Sequence, residues 1–208
     1  MLGKLRRKLK MQLSFLRRRL IEPPVPKNSG GKVLLHIGCG KIDSPEFINI
    51  DAQPFPHVHI VSDNITSLED FADATVDLVY MCHILEHIKR HELKTVLSEM
   101  RRVLKPGGIL RLSVPDFDRL LEVYNASGRN METISRQLMG GQDNQYNIHY
   151  SVFNCERLTE LLREVGFHGI TSWDPADSDH HNFKDKASRK ISINGRQYPI
   201  SLNLQAAR

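Results

Sequence analysis

Val33-Leu34-Leu35-His36-Ile37-Gly38-Cys39-Gly40 is a short, mostly apolar run that ends on two glycines. Such a run suits a strand buried on both faces of a sheet. Glycine at 38 and 40 lets the chain turn sharply and lets a ligand approach the backbone with no Cβ in the way. A lone Gly-x-Gly is also compatible with a plain tight turn, so the surrounding sequence decides its meaning.

Downstream, short apolar runs alternate with helical stretches. Phe47–Ile50 is closed by Asp51 and Val58–Val61 by Asp63; Val76–Met81 and Ile109–Val114 follow as further strands. Between the last two, Leu93, Val96, Leu97, Met100, Val103 and Leu104 mark one helix face, which Pro106-Gly107-Gly108 terminates. A later helix is expected over 155–165 with Gly166 as its stop. Ile191–Ile193, Asn194-Gly195 and Tyr198–Leu204 are expected to form a terminal hairpin. This order predicts an α/β fold with a mostly parallel sheet and one antiparallel edge.

The 208 residues suit one such domain with length left for a tail. Upstream of the first strand, residues 1–20 carry eight cations (Lys4, Arg6, Arg7, Lys8, Lys10, Arg17, Arg18 and Arg19) and no acid. The remainder holds 21 Lys and Arg against 24 Asp and Glu, so the net charge of +5 belongs to the tail. A nucleic-acid groove in the body is therefore disfavoured. Leu2, Leu5, Leu9, Leu13, Leu16 and Leu20 recur at helical spacing, and Pro23, Pro24 and Pro26 end the pattern. Residues 1–31 are expected to be a basic amphipathic helix and a proline-rich linker, and 32–208 the α/β domain. The helix suits an anionic membrane surface, or packing on the domain or a partner subunit. No apolar run approaches the roughly 20 residues that span a bilayer. Cys39, Cys82 and Cys155 are few and far apart, which argues against a disulfide framework and for a cytoplasmic chain, with peripheral membrane contact through the tail.

Two acids refine the ligand. A dinucleotide fingerprint wants a third glycine at position 43, which is Asp43. Its carboxylate serves a pyrophosphate poorly but does not oppose a cationic sulfonium. Asp51 lies thirteen positions after Gly38, against roughly twenty in the dinucleotide motif, and can accept hydrogen bonds from both ribose hydroxyls. Asp63 can take an adenine amino group while Ile65 packs on the ring; Asp63 also suits a turn or helix cap.

Val33–Gly40, Val76–Ile88 and Val103–Pro115 together resemble, in order and spacing, the successive motifs of class I S-adenosylmethionine (SAM)-dependent methyltransferases. The later stretch, Phe153–Phe167 with Ile200–Leu204, is similar to a bacterial branch associated with surface-polysaccharide and lipid-linked glycan synthesis. The resemblance implies a Rossmann-like, seven-stranded, mostly parallel sheet with an antiparallel C-terminal edge strand. It implies SAM as cofactor and a site lined by Gly38, Gly40, Asp51 and Asp63. Further candidates for cofactor contact are His36 and Cys39 in the first run, Asn64 and Ile65 beside Asp63, and Cys82 at the end of the fourth strand. The family's usual third small loop residue is missing here, and the loop to Asp51 is short.

A hydroxyl acceptor must lose a proton, and histidine is the common base near neutral pH. His83, Glu86 and His87 follow the fourth strand; a spacing of four on a helical turn would put the two histidines on one face. His149, in the polar and aromatic stretch Gln142–Tyr150, is the third candidate base. The expected function is O-methylation of a small polar acceptor, a sugar or lipid-linked glycan hydroxyl. Alternatives are a nucleic-acid methyltransferase and a non-catalytic, partner-binding relative. No metal is assigned: His180 and His181, near Asp177 and Asp179, are adjacent and on an extended chain would point to opposite sides.

Overall fold

The computed structural model describes residues 9, 12–18, 20–26, 28 and 30–208. Residues 9, 12–18 and 20 are helical (α1); the tail cations Lys4, Arg6, Arg7, Lys8, Lys10 and Arg19 lie outside the described residues. The body follows as β1 (Leu34–Ile37), β2 (Ile48–Asp51), β3 (Ile60–Val61) and β4 (Val76–Cys82). A single 3-10 turn, Leu85–His87, leads to α2 (Leu93–Val103) and β5 (Leu104–Pro115). Next come α3 (Phe117–Ala126), α4 (Glu132–Met139), α5 (Cys155–Val165) and β6 (His168–Ser172). The chain closes with β7 (Lys190–Ile193), β8 (Arg196–Pro199) and β9 (Ser201–Ala207).

Seven strands form one sheet in the order β3-β2-β1-β4-β5-β9-β6. β1, β2, β3, β4 and β5 are mutually parallel, whereas β9 is antiparallel to both β5 and β6. The fold is Rossmann-like, as expected. The C-terminal strand is antiparallel but sits one place in from the edge, because β6 pairs on its outer side. The expected hairpin is also split. Asn194 and Gly195, with φ of 50° and 81°, make its turn, but the returning strand stops at Pro199. β7 and β8 form a separate two-stranded ribbon, and Ser201–Ala207 enters the main sheet instead.

Side chains on β1 alternate between two layers. Leu35 and Ile37 join the main core with Leu97 and Met100 of α2 and Leu158, Leu161 and Leu162 of α5. Leu34 packs on the opposite face with Phe47, Tyr80 and Trp173. Asn154 caps α5 by accepting a hydrogen bond from Arg157 N–H at 3.0 Å, and Gly166 ends it in the left-handed conformation. Residues 38–47, between β1 and β2, form turns and no helix, so the loop after β1 has no helix behind it.

α1 docks in a way the leucine spacing does not foresee. Phe15 packs edge-on against Phe55, with ring centroids 5.5 Å apart, and belongs to a cluster with Cys39 and Val58. Arg18 donates to the carbonyls of Val58 and His59. Leu9, Leu13, Leu16 and Leu20 remain 53–77% exposed. No helix among the described residues is long and apolar enough to cross a membrane.

Candidate active site

Strand order reverses at β1, which lies between β2 and β4. In an open parallel sheet the ligand crevice lies beyond the carboxyl ends of the strands at that point. Gly38 and Gly40 stand there with φ of 67° and 56°. The Gly38 and Cys39 N–H groups donate to the Ile50 carbonyl, which bends the loop over β2. Gly40 N–H donates to Asp51 Oδ2 at 2.7 Å and Gln53 N–H to Asp51 Oδ1 at 2.8 Å. The carboxylate therefore shapes the loop and retains lone pairs for further donors. A Cβ on Gly40 would meet nothing within 4 Å, whereas one on Gly38 would stand 2.0 Å from Ile84 Cδ1. The cradle is open above Gly40 and closed by Ile84 at Gly38. An open glycine loop beside a half-buried carboxylate fits the ribose and amino-acid ends of SAM.

Asp63 is exposed beyond β3 and accepts no hydrogen bond among the described residues. Asn64 Oδ1 is engaged by the Thr66 N–H and hydroxyl, at 3.0 and 2.6 Å, in a local turn. Ile65 is half-buried against the main core. Cys39 contributes its backbone to the loop while its thiol is buried with Phe55 and Val58, and burial pushes that thiol's pKa up. Cys82 ends β4 against the aromatic layer, where burial likewise raises its thiol. His36 is placed differently from the expectation. Period-two alternation turns it to the aromatic face, where it stacks on Phe183 at 5.6 Å and lies 5.0 Å from the Tyr80 ring. Burial lowers its pKa to about 3, so it is a neutral packing residue and not a loop-lining one.

The second half of the site is built after β4. His83 holds a left-handed backbone, φ 54°, so residues 83–87 are not one helical face as the spacing suggested. Its Nε2 lies 2.8 Å from Ser201 Oγ. The Ser201 hydroxyl itself donates to the Lys186 carbonyl, so His83 Nε2–H is the donor in that contact. His83 Nδ1 faces Glu86 Oε1 at 3.2 Å, within ion-pair distance but not aligned as a hydrogen bond. Glu86 is 1% exposed, and neither carboxylate oxygen has a hydrogen-bond partner among the described residues.

The stretch 142–151 is clipped onto this turn. Tyr150 and Ser151 N–H donate to the Glu86 carbonyl, and Ser151 Oγ donates to Ile88 O at 2.8 Å. This brings His149 Nε2 within 3.9 Å of Glu86 Oε1 and sets its ring edge-on to His87, with centroids 4.6 Å apart. Each ring donates Nδ1–H to a backbone carbonyl at 2.9 Å, His87 to Ile148 and His149 to Gln137. Nε2 is then the lone-pair nitrogen of each ring, and that of His149 is turned toward Glu86. Burial lowers the His149 pKa. Burial works to raise that of Glu86, but His83, His87 and His149 outweigh it and the carboxyl ends below its ordinary value.

Ser201, Ile84 and His57, whose Nε2 donates to the Gly40 carbonyl at 3.0 Å, carry no sequence signal that would have placed them here. Elsewhere the adjacent histidines take separate partners. His180 Nδ1 lies 2.7 Å from Glu46 Oε2, while His181 Nδ1 donates to Pro175 O and its Nε2 faces Asp185 and Tyr80. A groove between α3 and the β7–β8 ribbon, lined by Asn125, Ser127, Gly128, Ile193 and Asn194, offers no titratable side chain.

Residues 40–112 match a family model described as "Methyltransferase domain". Over those residues the chain carries a methyltransferase domain, built on the Rossmann-like fold of SAM-dependent methyltransferases. A probable SAM-dependent methyltransferase of Mycolicibacterium smegmatis is 27% identical over 172 residues, covering 74% of this chain and 58% of that protein; the chain thus spans little more than half of that relative. A SAM-dependent methyltransferase from Archaeoglobus fulgidus superposes with a TM-score of 0.54 at 19% identity, over 95% of this chain and 94% of the other. So does the 1,6-didemethyltoxoflavin-N1-methyltransferase of Burkholderia thailandensis, solved with S-adenosylhomocysteine bound. Its TM-score is 0.54 at 17% identity, over 95% and 77% of the two chains. At these identities the structural likeness is one of fold. SAM is the cofactor of this methyltransferase domain.

Proposed function

We propose that the protein methylates a hydroxyl of a sugar or lipid-linked glycan. The observation that carries this reading is the cluster of buried Glu86 with half-buried His87 and His149 beside the carboxyl end of β4. A hydroxyl is a poor nucleophile until its proton is taken, and this cluster offers imidazole lone pairs and a carboxylate for that proton. When bound, SAM supplies an electrophilic methyl group on a sulfonium. The backbone of Gly38–Gly40 would receive its amino-acid end, Asp51 its ribose hydroxyls, and Asp63 with Asn64 its adenine. Displacement at that methyl is in-line, so the chain's main task is alignment. Ile84 narrows the crevice between the two halves of the site.

A lipid-linked acceptor is favoured by α1. Its leucines at 9, 13, 16 and 20 are exposed while Phe15 and Arg18 hold the helix on the body. An exposed apolar row next to a cationic segment suits adsorption to an anionic membrane from the cytoplasmic side.

The test is incubation with radiolabelled SAM and a glycolipid extract, followed by identification of the labelled product. Label in a glycan methyl ether is expected. Label only in nucleic acid or protein, or none with SAM demonstrably bound, overturns the acceptor. SAM is expected to raise the melting temperature, by about 2.7 kcal/mol of stabilisation at a hundredfold excess over Kd. Asp51→Ala is expected to abolish that shift.

A further inference from the structure

We propose that Glu86, His87 and His149 form a binding site for one divalent transition-metal ion of the zinc, cobalt or iron(II) type. The site goes beyond the acceptor reading and stands or falls without it. A carboxylate excluded from water costs several kcal/mol unless paired or hydrogen-bonded. Glu86 is 1% exposed, both its oxygens lack hydrogen bonds, and its one close contact, His83 Nδ1 at 3.2 Å, is misaligned. A bound cation removes that deficit.

The two histidines are prepared in the way metal ligands are. A ligating imidazole typically donates its other ring N–H to a carbonyl or carboxylate, which fixes the tautomer and aims the lone pair. His87 and His149 both do this, through Nδ1–H to Ile148 O and Gln137 O at 2.9 Å. One ring nitrogen from each histidine and one Glu86 oxygen lie within 4.8 Å of one another. Bonds of about 2.0–2.2 Å at tetrahedral angles place ligand atoms roughly 3.4 Å apart. The 3.9 Å between His149 Nε2 and Glu86 Oε1 closes to that by small ring and carboxylate rotations.

Two imidazoles and one carboxylate make a mixed nitrogen and oxygen set, which suits zinc, iron(II) or cobalt better than magnesium or calcium. Three protein ligands leave a position open, and His87 is only half-buried, so that position can reach solvent or an incoming oxygen. With the ion bound, the imidazole lone pairs are ligands and no longer the base. On the acceptor reading above, a hydroxyl bound at the open position would instead have its pKa lowered by the ion and lose its proton to solvent.

The experiment is titration of the full-length, chelator-treated protein with Zn2+ by calorimetry and with Co2+ by visible absorption. One equivalent of each is expected, and the cobalt spectrum should lack a thiolate charge-transfer band, which separates this site from the cysteines. Glu86→Gln and His149→Ala are each expected to weaken binding at least about tenfold, while His91→Ala, at a side chain 77% exposed, leaves it unchanged. His149 lies in a surface-connected stretch, so its variant serves if Glu86→Gln does not fold; circular dichroism reports the fold. Absence of stoichiometric binding, or binding that survives in folded His149→Ala, overturns the proposal. Cofactor binding is followed separately by the melting shift with SAM, so loss of the metal site and loss of the methyltransferase reading give different results.

Discussion

Gly38 and Gly40 share a sequence motif and a positive φ, yet the structure gives them different work. At Gly38 an added Cβ would strike Ile84 Cδ1 at 2.0 Å, and at Gly40 it would enter open space. Gly38→Ala is therefore expected to lose about 1–2 kcal/mol for the left-handed backbone and a further ~1–3 kcal/mol for overpacking. Gly40→Ala should lose only the backbone part but should block SAM from the loop. Denaturant melts with and without SAM separate the two; equal destabilisation would contradict the assignment of Ile84. Asp51 was legible as a strand-end acid from its place after the second strand. Its grip on Gly40 N–H was not, because that contact depends on how the loop folds back. His36 misled for the opposite reason: it sits inside the glycine motif, but strand alternation sends its side chain to the other face.

At the level of elements, the strands and helices with strong periodicity were legible: β1, β2, β4, α2 and α5 fall within a residue or two of the expected bounds. α3, α4 and β6 were not foreseen. β6 has no buried residue, with only Ile170 half-buried, so it carries no apolar alternation to find. The stretch 142–151 has no regular structure of its own, and its role comes from being tied to the 3-10 turn by Glu86 and Ile88 carbonyls. Ser151→Ala removes one of those ties. It is expected to cost about 1 kcal/mol of stability and to lower methyl transfer while leaving the SAM-induced melting shift intact. Equal loss of both readouts would mean that the clip supports the whole domain and not the acceptor side. Likewise, the leucine row of α1 was visible in sequence, but its exposure was not. Leu13→Ser with Leu16→Ser is expected to reduce co-sedimentation with anionic vesicles and leave melting unchanged, since neither leucine is buried.

Across the whole molecule, the sheet is covered on both faces, and the second cover is aromatic. Residues 173–187 lay Trp173, His181 and Phe183 over Tyr80, Phe47 and His36. Burial holds His36 neutral to about pH 3, whereas in the unfolded chain it takes a proton near 6.5. The unfolded state thus binds more protons throughout that window. Stability from this group is complete above about pH 6.5 and is lost as pH falls, at up to ~1.4 kcal/mol per pH unit. Half-buried His149, also lowered, adds a loss of the same sign. Denaturant midpoints between pH 6.5 and 4.5 should show a shallower slope for His36→Phe than for wild type. An unchanged slope would place the proton elsewhere.

The sequence by itself determined the α/β class, the glycine turn and the acids at the strand ends, because they rest on local periodicity and on residues adjacent to their own strands; the cofactor came through the family resemblance of its motifs. Tertiary structure alone decided that His149 meets Glu86, that Ser201 engages His83, and that the last strand enters the sheet beside β5. Each of these joins residues far apart in the chain, and the packing of the sheet and its loops, not the spacing of the residues, brings them together.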